Sequence, residues 1–346
     1  MSAAASPQDV TVAGSAALPP VSTEPAQVMR TGGSSRWIHL LGRYGTLVGF
    51  VVLFVYFAIV ADVFLTGNNL RNILTASATV GVLAIGLTIT LVLGDFDLSI
   101  GYTATAAGML AAGTAQSYGM AGGTLAALGL GLLVGLVNGL IVTRLGVSAF
   151  IATLGVGQVI AGWLLAYRGS IQITTDLPED FRTLGTGKIG PIPWILVVWG
   201  LVALVLYVLL DHTVLGRRMS AVGGNQVAAR LSGIRVERVR LVAFVISGAT
   251  AGLAGLMLAS NLGVGNPTAA LGYLLPAFAA CFIGAATLRD GQFHIGGTIV
   301  GVLMLGVLSN GLVLTGVSPA WTTASQGIVL VVAVTISTFA RRVAAR

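Results

Sequence analysis

Two carboxylates, Asp95 and Asp97, stand two residues apart in Gly94-Asp95-Phe96-Asp97-Leu98-Ser99-Ile100-Gly101, inside an otherwise apolar run. Paired acids do general acid–base chemistry when a reacting proton lies within reach, and hold hard cations when further oxygen ligands converge. No nucleophile or metal-ligand cluster accompanies this pair, so no catalytic residue and no metal site is assigned. Two readings remain. Both acids sit at the cytoplasmic surface, ending the second span, or they mark irregular backbone at membrane depth. Such backbone is tolerated only when buried in protein or lining a cavity, and an ionisable residue there is a functional hypothesis by default. Asp97 or Ser99 could cap the helix that follows.

A second informative stretch is Gly216-Arg217-Arg218-Met219-Ser220-Ala221-Val222-Gly223-Gly224-Asn225-Gln226-Val227-Ala228-Ala229-Arg230-Leu231-Ser232-Gly233-Ile234. Asn225 is suited to an N-cap, where its side-chain oxygen accepts from a free first-turn N–H. Gly233 is suited to the position after a helix end, where φ is positive. Between them lie about two turns of helix with a small Ala228/Ala229 surface. So short a helix is marginal by itself and must be held by packing. A groove on a soluble partner would hold it, and so would the inner leaflet, with the arginines toward lipid phosphates.

Other chemistries are excluded by what is missing. There is no Gly-x-x-x-x-Gly-Lys-Ser/Thr phosphate loop and no His-Glu-x-x-His zinc motif, and the histidines are His39, His212 and His294. The single cysteine, Cys281, excludes a disulfide or metal framework. The chain therefore reads as no enzyme, with no cofactor bound by the chain itself.

The elements that must position these residues follow from composition. Of 346 residues, 55% are hydrophobic and 8% charged, against about 25% charged in a soluble domain. The fold class is all-α, a polytopic membrane protein. With about 20 apolar residues per crossing, spans fall near 45–65, 72–93, 99–117, 120–142, 147–166, 191–210, 241–260, 271–288, 294–314 and 320–340. Residues 1–35, with four prolines among small polar residues, read as a disordered cytoplasmic tail, and 36–346 as the transmembrane domain. If the N-terminus is inside, 14 of the 18 Lys and Arg fall on the cytoplasmic side. That is the positive-inside bias, with both termini cytoplasmic. It accounts for the net charge of +7 by topology and anionic lipid, so nucleic acid is not an expected partner. Two long polar segments remain, 167–190 outside and 211–240 inside, as docking sites for two different partners or as plain connections.

An internal repeat points the same way. Asn138-Gly139-Leu140-Ile141-Val142 leads into Gly146-Val147-Ser148, and Asn310-Gly311-Leu312-Val313-Leu314 leads into Gly316-Val317-Ser318. In the expected topology the copies lie on opposite faces, as an inverted repeat of a transporter requires. Chance similarity between glycine-rich spans is the alternative. The polar residues within the spans, Asn138 and Asn310 among them, are mostly uncharged. Singly they suit helix–helix hydrogen bonding, and together they suit a path for a neutral, hydroxyl-rich solute.

The segment Gly216–Ile234, continuing through Arg238-Val239-Arg240 to Ile246-Ser247-Gly248 and Ala251-Gly252-Leu253-Ala254-Gly255, resembles bacterial ABC importer permeases of the ribose/xylose/arabinose type. The family's motif Gly-Gly-Ile-Asp-Leu-Ser-Val-Gly is similar to Gly94–Gly101. The resemblance covers roughly residues 45–340. Asp95 stands where that motif often has glycine. The resemblance implies a permease subunit importing a neutral pentose or hexose by alternating access. It implies that 211–240 is the coupling loop, with Gly223, Gly224, Asn225, Ala228, Ala229 and Gly233 docking on an ATP-binding-cassette ATPase. That partner chain would carry ATP and magnesium. Asp97, Ser99, Asn138 and Asn310 become candidates for the translocation path. A periplasmic or lipoprotein solute-binding protein would meet loop 167–190, and a second permease copy or paralogue would complete a dimer in the bacterial inner membrane. Permeases for branched-chain amino acids or nucleosides are the nearest alternative, followed by a secondary transporter or channel.

Overall fold

The computed structural model describes residues 34–286, 289 and 291–344. The expected disordered tail lies outside the described residues as far as residue 33, and α1 (Ser34–Val60) begins directly after it. Lipid offers the backbone no hydrogen-bonding partner, so a lipid-exposed segment must bond internally. The chain does so almost wholly by helix. Among the described residues, six helices are long and apolar enough to cross a membrane. Three shorter apolar stretches lie at Thr46–Val60, Leu271–Ala285 and Pro319–Thr335.

The first three helices contain the first break. α2 (Gly67–Val92) is N-capped by Thr66, whose hydroxyl accepts from the Asn69 amide. This cap fixes a turn after Val60, so the first helix ends before the expected residue 65. α3 (Ile100–Arg144) covers two expected spans. Its 45 residues are divided by Gly119 at φ 68°, ψ −175°. The chain turns back there, since a Cβ on Gly123 would stand 2.7 Å from the Ala111 carbonyl oxygen. The conformation at Gly119 is one that glycine adopts without steric cost.

α4 (Ala149–Arg168) follows. The segment 167–190 is more structured than a plain connection. It holds a 3-10 turn at Glu179–Arg182, α5 (Thr183–Thr186) and the start of a hairpin of β1 (Lys188–Ile189) and β2 (Ile192–Pro193). It is tied to the next long helix by Ser260, whose hydroxyl donates to the Phe181 carbonyl at 2.6 Å and accepts from the Gly185 amide at 2.8 Å. Phe181 is fully buried.

α6 (Trp194–Tyr207) ends in a π-turn at Val208–His212. The segment 211–240 then forms α7 (Val214–Gly224) and α8 (Gln226–Leu231). α9 (Val236–Leu262), α10 (Leu274–Ala285), α11 (Ile295–Leu314) and α12 (Pro319–Ala344) complete the chain.

The spans α2 and α9 are the most buried. α9 lies against both arms of α3: Gly131 and Gly135 meet Gly248 and Phe244 on one arm, while Gly255 meets Ala104 and Gly108 on the other. Backbones can approach this closely only where side chains are missing. α2 packs on α9, α6, α10 and α11. The two copies of the repeated sequence share a local shape, a helix ending at Gly146 (φ 71°) or Gly316 (φ 79°) and a new helix after Ser148 or Ser318.

Candidate functional site

The Gly94–Gly101 segment is the break between α2 and α3. Gly94, at φ 81°, turns the chain out of α2. The next residues alternate, so Asp95 and Asp97 are buried while Phe96 is exposed and stacks on Phe278 at 5.9 Å between ring centroids. Both acids thus follow the end of α2 and are covered by protein rather than open to solvent. Asp97 Oδ1 accepts from the Ser99 amide at 3.0 Å and the Ser99 hydroxyl at 2.6 Å, and Oδ2 accepts from Ser247 Oγ of α9 at 2.8 Å. Asn138 Nδ2, on the second arm of α3, donates to Ser99 Oγ at 2.8 Å. Of the two possible caps it is thus Asp97 that serves the start of α3, and Ser99 makes no capping bond of its own. Thr153 of α4 holds the same segment, its hydroxyl accepting from the Leu98 amide at 2.9 Å.

Asp95 has a different partner. Arg240, in the first turns of α9, grips it through Nε to Oδ2 at 2.8 Å and Nη2 to Oδ1 at 2.6 Å. The planar guanidinium matches a carboxylate with two parallel bonds. A second irregular segment faces the first: Gly263 (φ 68°) ends α9, and the Ala270 amide before α10 donates to Thr105 Oγ1 of α3 at 3.2 Å. The Ala270 carbonyl lies beside Gly101.

The segment 211–240 builds the helix its caps require. Asn225 Oδ1 accepts from the amides of Val227 and Ala228, both at 3.0 Å, and Gly233 takes φ 81°. Of the small pair, Ala228 is exposed while Ala229 is buried in the chain's own core. α8 also presents Val227, 70% exposed, and Leu231, 85% exposed. A Cβ on Gly224 would meet nothing within 4 Å, whereas one on Gly223 would collide with the Val92 carbonyl oxygen at the end of α2. Gly223 thus packs on the end of α2, just before the Gly94–Gly101 segment. Beside α8, Arg218, Arg235 and Arg238 with Leu215, Ile234 and Val239 line a recess of about 400 Å³.

Of the four path candidates the structure brings Asp97, Ser99 and Asn138 into one network. It does not bring Asn310 there. Asn310 exchanges two hydrogen bonds with Asn69, at 2.9 and 3.0 Å, at the opposite end of α2. Sequence reasoning missed Ser247, Thr153 and Arg240 as partners of the break. Arg240 and Ser247 lie in the stretch that carries the resemblance, whereas nothing local marked Thr153. Among the described residues no group of three His, Cys, Asp or Glu could hold a metal ion. The arrangement offers hydrogen bonding, one buried ion pair and an exposed apolar helix tip.

The chain matches the family described as branched-chain amino acid transport system / permease component over residues 69–334. It is similar to the ribose import permease protein of Escherichia coli (strain K12), 35% identical over 84% of this chain and 92% of that one. The ribose import permease protein of Bacillus subtilis (strain 168) is 35% identical over 85% and 92%. The L-arabinose ABC transporter permease protein of Azospirillum brasilense is 33% identical over 87% and 89%. No solved structure matches.

Proposed function

The chain belongs to the branched-chain amino acid transport system / permease component family, and from that premise we propose that it imports a neutral monosaccharide, of pentose or hexose type, as the membrane subunit of an ATP-driven transporter. It is a multi-pass membrane protein and a transport subunit, not an enzyme. The observation that carries the sugar reading is the 35% identity across 92% of a ribose permease, with both motifs inside the family match. The family's description names branched-chain amino acids, but the curated relatives quoted above import ribose and arabinose.

In this reading ten segments cross the bacterial inner membrane, with the two arms of α3 counted separately and both termini in the cytoplasm. The two halves form an inverted repeat. Arg71 and Lys188 would then share the outer end, where both line one recess with Asn261, and the tethered segment 167–190 would receive a solute-binding protein. α8 would dock in a groove of an ATP-hydrolysing partner, which holds ATP and magnesium. Its apolar tip supports this, because Val227 and Leu231 gain by leaving water. Two permease chains, identical or paralogous, would enclose the solute path, which opens alternately to either face. Neutral hydroxyls and amides around Asp97 suit a hydroxyl-rich solute.

Reconstitution in vesicles tests the proposal. Uptake of labelled ribose or arabinose should need the ATPase subunit, the binding protein and ATP together. Uptake without any ATP-hydrolysing subunit would favour a secondary transporter, and uptake of leucine in place of either sugar would move the chain to the amino-acid branch.

A further inference from the structure

We propose that the Asp95–Arg240 ion pair is the strut that passes movement of α8 to the break at Gly94–Gly101, making both residues positioning residues for transport. The proposal rests on the importer reading above. Three observations carry it.

First, α8 and the start of α9 form one stiff corner. The Ile234 amide donates to the Ala229 carbonyl and the Gly233 amide to the Arg230 carbonyl, both at 3.0 Å. Arg230 pairs with Glu237 across the turn, and Ala229, Val236 and Val239 are buried beneath it. Arg240 is one residue beyond Val239, so displacement of α8 carries its guanidinium along.

Second, the pair is built to transmit force. Its side chains are only 18% and 7% exposed, so water cannot replace either partner cheaply. The remaining links between segment 211–240 and the break are packing contacts, such as Gly223 on the Val92 carbonyl. A packing contact resists compression and gives way under tension. A bidentate ion pair resists both, so it can draw the break back as well as push it.

Third, the far end of the strut is anchored where movement matters. Asp97, two residues on, is bonded to Ser247 on α9 and, through Ser99, to Asn138 on α3. Asp95 itself stands where the resembled motif often has glycine.

The test uses the assembled transporter in vesicles, with labelled ribose and arabinose as probes, and reads ATP hydrolysed per solute imported. Asp95→Asn and Arg240→Gln should each raise that ratio about fivefold or more, the lower range of ordinary coupling between sites. The double variant should be no worse than either single one, because both remove the same link. Arg240→Lys, which keeps the charge and loses the fork, should fall between. If a single variant fails to assemble because one charge is left buried alone, the double variant, which leaves none, supplies the reading. Hydrolysis and uptake falling together, with the ratio at its wild-type value, would overturn the strut while leaving the importer reading intact. Absence of ATP-dependent uptake of either sugar by the wild-type assembly would overturn both.

Discussion

A buried carboxylate with no cation on it must be satisfied by donors, and Asp97 has three, two from Ser99 and one from Ser247. Asp97→Ala strands all of them, at about 1–3 kcal/mol for each donor left unpaired. Asp97→Asn keeps the shape and one acceptor. Thermal unfolding in detergent should therefore show a larger loss for alanine than for asparagine. Equal losses would mean that the hydrogen bonds carry little. The neighbouring glycines separate two effects that sequence treats alike. Gly223→Val should fail to yield folded protein, because its side chain meets the Val92 carbonyl. Gly224→Val should fold, run normally on size exclusion and lose uptake, because its side chain projects into open space where the ATPase would dock. Normal uptake by Gly224→Val would count against docking at this point. At this scale the sequence revealed what local rules govern, the Asn225 cap and the positive φ of Gly233. It did not reveal Ser247 or Thr153, since their partners stand 150 and 55 residues away. Asn138 and Asn310 are both uncharged polar residues within expected spans, yet Asn138 bonds Ser99 while Asn310 bonds Asn69, because a repeat preserves local shape while the residue across the interface changes.

Helices of six residues do not persist alone, so α8 survives by its cap and its seat on α9. Asn225→Ala removes the acceptor of two amides and should destabilise the helix by about 1 kcal/mol. ATPase affinity in pull-down titrations should fall several-fold with no change in membrane insertion. An unchanged affinity would place docking elsewhere. Leu231→Asp should have a larger effect on binding and none on folding, because the residue is 85% exposed. Apolar windows alone point to the six helices that are long and apolar enough to cross a membrane, and the two windows that α3 joins are divided at Gly119, the glycine that interrupts it. The structure of segment 167–190 was not legible. Its polar composition signals a connection, and only the folded chain brings Ser260 to Phe181 and Gly185.

For the molecule as a whole, the sidedness of the helices is the main expectation to test. The sole cysteine, Cys281, is fully buried, with its thiol 3.2 Å from the Ala84 carbonyl oxygen. A membrane-impermeant maleimide applied to intact cells should leave the wild-type chain unlabelled. Lys188→Cys should label from outside, and Ser220→Cys only after the membrane is opened. The reverse pattern would invert the topology drawn from the arginine and lysine distribution.

The glycines where α3 crosses α9 have a consequence in genetics. Nearly every first- or second-base change in a glycine codon introduces a side chain, and at Gly131, Gly135, Gly248 and Gly255 a single Cβ already collides with the opposing backbone. In a saturation library selected for growth on the imported sugar, these codons should accept almost only silent changes. The exposed glycines Gly155, Gly162 and Gly200, which meet nothing within 4 Å, should drift.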